Sequence, residues 1–544
     1  MTARGRIGVV ALAAAPVAVL AVFFVYPVGG MLARGFWPEG SFDPGGVLAV
    51  LGRPRVHRVL WFTVWSAGLA TVLSVLLGVP TAFVLHRLRF RGAGLLRTLV
   101  VLPFVLPTVV VGVAFRQLIA PSGPLGALGL DGTAAAIVAA LVFFNISVVV
   151  RTVGAFWESL DRRVEEAAAT LGAAPLRVFA TVTLPGLLPG VASASVVVFL
   201  FCSTAFGVVL TMGGLRYANV ETEIYLLTTQ ELDLRAAAAL SVLQLAVIVV
   251  LLGLSARTRR VQPPGRSAHQ ARRPRRRDGF LLVWTAAVVV FLVTPLVSLV
   301  LASLDTGDGW GIANYRELEG TGEDNALLVP VTTALWTSLR VAVVAATLAL
   351  VLGCLVAVLV SRKWRTGPGR RLSAVFDGAF MLPLGVSAVT LGFGFLITLD
   401  EPPLDLRSSS MLVPIAQAMV ALPLVVRTIA PVLSSIDQRQ RDAAAALGAG
   451  PLRVLAAVDV PVAWRALLAS TGFAFAVSLG EFGATSFLAR ADDPTLPVVI
   501  YQLISHPGEA NFAMAMAASV VLAGATALVM LLVERLRVGS VGAF

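Results

Sequence analysis

The sequence predicts an all-α polytopic membrane protein, with about twelve transmembrane helices in two parallel six-helix repeats. Three observations carry this. Of 544 residues, 58% are hydrophobic and only 13% charged, whereas a soluble chain is about 45–50% apolar. Apolar runs of about 20 residues, the length that crosses roughly 30 Å of hydrocarbon, recur along the whole chain. Finally, the second half repeats features of the first.

Taken in order, the candidate spans lie near 9–29, 60–85, 97–119, 134–152, 188–210 and 236–256, then near 280–302, 337–361, 378–399, 411–430, 466–489 and 513–534. The opening "MTARGR" followed by an apolar run has the outline of a cleavable signal peptide. The run is long enough to span, however, and the second half opens the same way, with "RRRDG" before "FLLVWTAAVVVFLVTPLVSLV". A retained first helix is therefore expected. The halves run from 1 to 256 and from 280 to 544, joined by a basic linker at 257–279.

That linker sets the orientation. It carries nine arginines between Arg257 and Arg277, the strongest signal in the chain for a cytoplasmic loop, because arginine and lysine are enriched on that side. Alternation then places 86–97 and the basic 362–371 inside. The stretch from Asp305 to Asp324, with six acids and one arginine, falls outside. Both termini are expected in the cytoplasm. Residues 30–58, with Arg34, Arg53, Arg55 and Arg58, are predicted outside against the charge rule and are outvoted by the other loops. Topology explains the basic linker, so the lipid bilayer is an expected partner and nucleic acid is not.

Alignment of Arg151 with Arg427, an offset of 276 residues, matches "RTVGAFWESLDRRVEEAAATLGAAPLRVFATVTLP" to "RTIAPVLSSIDQRQRDAAAALGAGPLRVLAAVDVP" at 18 of 35 positions. Weaker echoes precede it, such as "LLGVPTAFVLHR" with "VLGCLVAVLVSR". With an even number of spans per half, the repeats lie parallel about an axis along the membrane normal, and a pathway between them is expected.

The best-matched stretch is a loop and not a span. Apolar helices facing lipid need only be apolar, whereas a surface that receives a partner keeps particular residues. Each copy reads as two short helices: Asp161 and Asp437 cap the first, Gly172 and Gly448 end it in a left-handed turn, and Pro175 and Pro451 start the second. Ala167, Ala168, Ala443 and Ala444 leave room for another protein to approach closely.

The segment from Glu166 to Pro185, "EAAATLGAAPLRVFATVTLP", resembles the EAA motif of permease subunits of bacterial binding-protein-dependent ABC importers: Glu-Ala-Ala, three residues, Gly, nine residues, an aliphatic residue, any residue, Leu-Pro. In the second half Asp442, Ala443, Ala444, Gly448, Val458 and Pro461 fit, with aspartate for the glutamate and Val460 for the leucine. The resemblance extends over essentially the whole chain as two fused permease copies. It implies that the loops at 158–185 and 434–461 are coupling helices that seat in a cytoplasmic ABC ATPase dimer, through Glu166, Ala167, Ala168 and Gly172 and through Asp442, Ala443, Ala444 and Gly448. It also implies an extracytoplasmic substrate-binding protein and a place in the bacterial cell membrane. The complete motif marks the first loop as the stronger contact.

The energy source must lie on another chain. A phosphate-binding loop ends in Gly-Lys-Ser or Gly-Lys-Thr, and the single lysine is Lys363, in "SRKWR". His57, His86, His269 and His506 lack metal-ligand spacing, and Cys202 and Cys354 sit in apolar spans of opposite halves as small hydrophobes. No catalytic site, cofactor or metal is expected, so the chain is a transport subunit and not an enzyme.

The fused length resembles thiamine and ferric-iron importers, and "NVETEIYLLTTQELDLRAAAALSVLQ" resembles the thiamine subgroup most. A sulfate or molybdate importer permease, an ion-coupled secondary transporter and an export permease stay open. Within "AVSLGEFGATSF", Glu481 stands alone in a run read as oily helix. A charge at membrane depth costs about 2.5 kcal/mol or more unless paired or wet. Counted from Ala466, it lies about 22 Å up that helix. Gly480 and Gly483 on either side suggest a close approach or local unwinding where backbone and carboxylate meet water, and Glu481 is expected to line the outer end of the translocation pathway; the alternative is a structural ion pair, with Arg490 or a neighbouring arginine.

Overall fold

The computed structural model describes residues 13–37, 40–214, 216–258, 272–307, 309–361, 376, 378–380, 386–400 and 404–536. The basic loop 362–371 with Lys363, and most of the linker 257–279 including His269, lie outside the described residues. Among those described there are helices, turns and isolated bridges, and no strand.

Among the described residues, ten helices are long and apolar enough to cross a membrane. They are Ala13–Phe36, Pro54–Arg87, Ala134–Ser159, Pro175–Ser203 and Leu234–Leu251, then Arg276–Leu304, Val331–Ser361, Leu412–Ser435, Pro451–Leu479 and Glu509–Val533. Each overlaps one of the twelve apolar runs, and the remaining two runs are the third of each half. The run at 97–119 is not one helix, as expected from hydropathy, but two: Ala93–Val105 and Thr108–Ile119 meet at 104°. Pro107 causes the break. It lacks an N–H and excludes the helical conformation from the residue before it, and Leu106 is accordingly extended, with ψ 142°. In the second half that run contains the helix Ala388–Thr398, whose start is capped by the Ser387 hydroxyl accepting from Thr390 N at 3.0 Å.

The fifth span of each half starts earlier than its hydropathy suggests. Pro175–Ser203 and Pro451–Leu479 grow directly out of the repeated loop, passing through one π-helical turn each, Phe179–Thr183 and Leu455–Asp459. Such turns are rare and recur at functional sites.

Packing divides the chain into two units that cut across its sequence halves. One gathers the described residues of Met1–Leu51, Ile224–Leu245 and Tyr315–Gly542, the other those of Gly52–Glu223 and Ala246–Asn314. Each unit thus contains the first span of the other half. In the former, Phe23 packs on Phe395 with ring centroids 5.9 Å apart. There Gly30 is so close to the helix Ala388–Thr398 that a Cβ would lie 2.1 Å from Thr398 Cγ2. In the latter, Phe291 of Arg276–Leu304 meets Phe115 and Phe143 at 6.4 and 6.3 Å, and Trp284 Nε1 donates to the Leu77 carbonyl at 3.5 Å. Small residues that let backbones approach, together with interdigitated aromatics, are what holds helices together where lipid is as apolar as leucine.

Candidate functional site: two knuckles and a broken span

The two repeated loops fold alike down to single hydrogen bonds. In the first, the Asp161 carboxylate accepts from Arg163 N at 2.9 Å and starts the helix Arg162–Thr170. In the second, Asp437 accepts from Arg439 N at 3.0 Å and starts Gln438–Ala446. A carboxylate there satisfies an end N–H and meets the positive pole of the helix. Gly172 and Gly448 both have φ +85°, which glycine adopts without steric cost. Around the first, Gly172 N donates to the Ala169 carbonyl at 3.0 Å and Ala173 N to that of Ala168 at 3.2 Å; around the second, Gly448 N donates to that of Ala445 at 3.0 Å and Ala449 N to that of Ala444 at 3.1 Å. This is the paired closure of a left-handed helix end. Pro175 and Pro451 then open Pro175–Val178 and Pro451–Val454.

The residues singled out from sequence lie on these knuckles. Glu166 is exposed and pairs with Arg162 one turn earlier, Nε to Oε1 at 2.9 Å. Asp442, also exposed, accepts from Gln438 Nε2 at 3.0 Å. Ala167 and Ala443 are exposed, while Ala168 and Ala444 are half-buried.

Sequence reasoning missed two further features. Leu171 and Leu447 are 89% and 90% exposed, and Leu176 and Leu452 are 79% and 81% exposed. These bare leucines stand at matched places on either side of the glycine turn in both repeats. Their identity in both repeats was the available signal. The second feature is how each knuckle is fixed. Position 165 and its repeat mate 441 carry opposite charges. Arg87 grips Glu165 with one nitrogen on both oxygens at 2.9 Å, and Thr183 Oγ1 donates to Glu165 Oε1 at 3.0 Å. In the second knuckle Arg441 Nε donates to Asp459 Oδ1 at 2.7 Å, and its Nη2 to the Leu433 carbonyl at 2.8 Å, with Arg441 and Asp459 both buried.

Glu481 is not inside a continuous helix: the chain unwinds beside its two glycines, as their presence suggests, but the helix before it starts earlier than expected. Its span begins at Pro451, not near Ala466, and ends at Leu479; Gly480 forms the C-cap and a four-residue helix, Thr485–Leu488, follows. About 43 Å of helix therefore runs from Pro451, inside the knuckle, to the break. The Glu481 side chain turns forward into the gap. Its Oε1 accepts from Ala484 N at 2.7 Å, and its Oε2 accepts from Thr485 N at 3.0 Å and Thr485 Oγ1 at 2.5 Å. Gln417 Nε2 in turn donates to Thr485 Oγ1 at 3.1 Å. Arg490, considered as a counter-charge, instead binds Asp492 and the Ser408 carbonyl. Gly483 lies where a Cβ would sit 2.9 Å from Ala388 Cβ and 3.2 Å from Val389 N, so only glycine fits beside that helix. The first half repeats the break after Ser203 without the acid. Ala205 stands in its place, its carbonyl accepting from Asn219 Nδ2 at 2.6 Å, and Gly207 abuts Thr108 and Val109 N.

With this geometry in hand, known proteins offer a direct comparison. Residues 74–258 and 349–538 each match the family described as binding-protein-dependent transport system inner membrane component. The chain is 28% identical over 469 residues to the thiamine transport system permease protein ThiP of Escherichia coli (strain K12), covering 84% of this chain and 85% of that one. It is 38% identical over 247 residues to the molybdenum transport system permease protein ModB of Mycobacterium bovis, covering 44% of this chain and 90% of that one. A solved bacterial ABC transporter involved in import of the acidic polysaccharide alginate aligns at 17% identity and a TM-score of 0.40, over 45% of this chain and 93% of its own. Two family domains, knuckles with matching caps and glycine turns, and spans enough to cross a membrane several times lead to one identification: the chain belongs to the binding-protein-dependent inner membrane permeases of ABC importers, as a fused two-domain transport subunit and not an enzyme.

Proposed function

We propose that this chain forms the translocation pathway of a bacterial thiamine importer, with both termini cytoplasmic. In this reading residues 1–256 and 280–544 are the two permease repeats, and 257–279 joins them. The knuckles at 158–185 and 434–461 dock a cytoplasmic ABC ATPase dimer, and an extracytoplasmic binding protein delivers the solute. The observation that carries the coupling role is the duplicated knuckle with its bare leucines, since a fully covered leucine is worth about 1.5–3 kcal/mol and an isolated chain gains nothing by exposing four. Glu166, Ala167, Ala168 and Gly172, with Asp442, Ala443, Ala444 and Gly448, supply the rest of that surface.

Thiamine is favoured because the relatives carrying that name match both halves of the chain in one polypeptide. Molybdate is the second reading, on the higher identity of a single-copy permease to part of the chain. The break at Gly480, Glu481 and Gly483 borders the route in our reading: non-helical backbone at membrane depth survives only inside protein or beside a water-filled cavity. Glu481 then shapes the route by holding the turn.

The test is uptake into proteoliposomes that hold the chain, its ATPase and its binding protein, with labelled thiamine, molybdate and ferric iron offered in turn. ATP-dependent accumulation of thiamine alone is the expected result. Accumulation of molybdate or iron instead overturns the substrate, and uptake that persists without ATP under an ion gradient overturns the class.

A further inference from the structure

The second span, Pro54–Arg87, ends in a node at 85–89 where four other segments are fastened. The Leu85 carbonyl accepts from Arg97 Nε at 2.8 Å, and His86 Nδ1 lies 2.8 Å from Glu158 Oε1. The buried Arg87 side chain holds Glu165 of the first knuckle. The backbone then closes a parallel bridge: Arg272 N donates to the Arg87 carbonyl at 3.1 Å, and Arg89 N to the Arg272 carbonyl at 2.8 Å.

Arg272 does more than pair its backbone. Its guanidinium lies over the Phe83 ring, 5.8 Å from the centroid, and forks onto Asp278 at 2.6 and 2.8 Å. Asp278 is buried, also accepts from Arg275 N at 2.7 Å, and stands at the foot of the span Arg276–Leu304. Two-pronged arginine–carboxylate contacts fix orientation as well as distance. A line of contacts of different kinds thus runs from Thr183 to Glu165 and Arg87 through side chains, from Arg87 to Arg272 through the backbone bridge, and from Arg272 to Asp278 through the fork. It ties the first knuckle to the base of a span that belongs, by sequence, to the other half. The second knuckle is held differently, by Asp459 and the Leu433 carbonyl, both close to it in sequence.

We propose that Arg272 is a positioning residue of the transport cycle, the clamp that passes displacement of the first knuckle to the foot of Arg276–Leu304. The proposal rests on the reading that the knuckles couple to an ATPase. A network of this kind earns its role only through measured coupling.

The experiment compares solute accumulated per ATP hydrolysed in proteoliposomes of the full complex for the wild type, Arg272→Gln, Glu165→Gln and the double variant. Arg272→Gln is expected to lower the ratio about three- to thirtyfold while ATPase remains bound, and the double variant to be no worse than the more severe single one. An unchanged ratio, or losses that multiply, overturns the clamp. Should Arg272→Gln fail to accumulate, Asp278→Asn is read by the same ratio. An unchanged value again overturns the clamp, and loss of both variants from the membrane makes the pair purely structural and does the same. ATPase retention by the wild type is scored in the same preparation. Its absence refutes the coupling reading and the clamp with it, whereas retained ATPase with an unchanged ratio refutes the clamp alone.

Discussion

Replacement of Glu481 by glutamine removes a charge and little else in volume, yet the geometry of the break makes it costly. The carboxylate accepts from Ala484 N, Thr485 N and Thr485 Oγ1 through two oxygens. Glutamine has one acceptor oxygen, and its amide nitrogen would face an N–H donor. Thr485 Oγ1 can accept from the new amide as well as from Gln417 Nε2, but that leaves the Thr485 N–H, which donates to Oε2, without an acceptor. One buried N–H is left without a partner and the remaining bonds lose charge assistance, a cost of about 2–3 kcal/mol. Hydrogen exchange on the detergent-solubilised chain reads this directly: protection of the Ala484 and Thr485 amides should fall by roughly 30- to 150-fold, at about 1.4 kcal/mol per tenfold, while the helix interior of Val460–Leu479 stays protected. Uptake should fall with it. Unchanged protection at both amides would refute the capping role, and lost uptake in that same variant would point to the bare charge as what the pathway uses.

Three further outcomes follow from the knuckles and loops. Gly172→Ala and Gly448→Ala should each cost about 1–2 kcal/mol for a side chain in the left-handed region; equal φ at the two sites predicts equal strain, and a melting shift confined to one would contradict the structural equivalence. Asp459→Asn strands the buried Arg441 and should destabilise by about 3–5 kcal/mol, whereas Thr183→Ala, which removes one bond of the half-buried Glu165, should be far milder; thermal unfolding of the two variants ranks them. A cysteine at exposed Gly320 should react with a membrane-impermeant thiol reagent in intact cells while one at Ser267 resists, and the reverse pattern would invert the topology.

Much of the architecture was legible because its causes are local. Apolar length marks the spans, and Asp161, Gly172 and Pro175 announce the knuckle by capping, left-handed and N-terminal preferences that need no tertiary information. Where two prolines stood four residues apart, at Pro103 and Pro107, the break could have been read and was hidden by hydropathy alone. The early start of Pro451–Leu479 was obscured because "LRVLAAVDVP" is mixed in polarity, though its helix continues the knuckle. The glycines at 480 and 483 announce the unwinding beside Glu481, whereas the partners that pack there, Gln417, Ala388 and Val389, are distant in sequence and leave no local sign. The anchoring pairs were illegible for a further reason: Glu165 with Arg87 and Arg441 with Asp459 exchange the sign of charge between repeats, so matching one copy to the other makes the position look unconstrained. Exchange of the first spans between units likewise leaves no local trace.

In the proposed complex Leu171 and Leu447 meet an ATPase. Single cysteines at these positions, in a chain with Cys202 and Cys354 replaced by alanine, can be treated with a short thiol cross-linker after assembly with the ATPase and binding protein. An adduct with the ATPase is expected from both positions, and none from a cysteine at Leu128, which is also exposed but lies on the loop predicted to face outside. Absence of an adduct from both knuckles in a complex that still hydrolyses ATP and imports solute would contradict this contact.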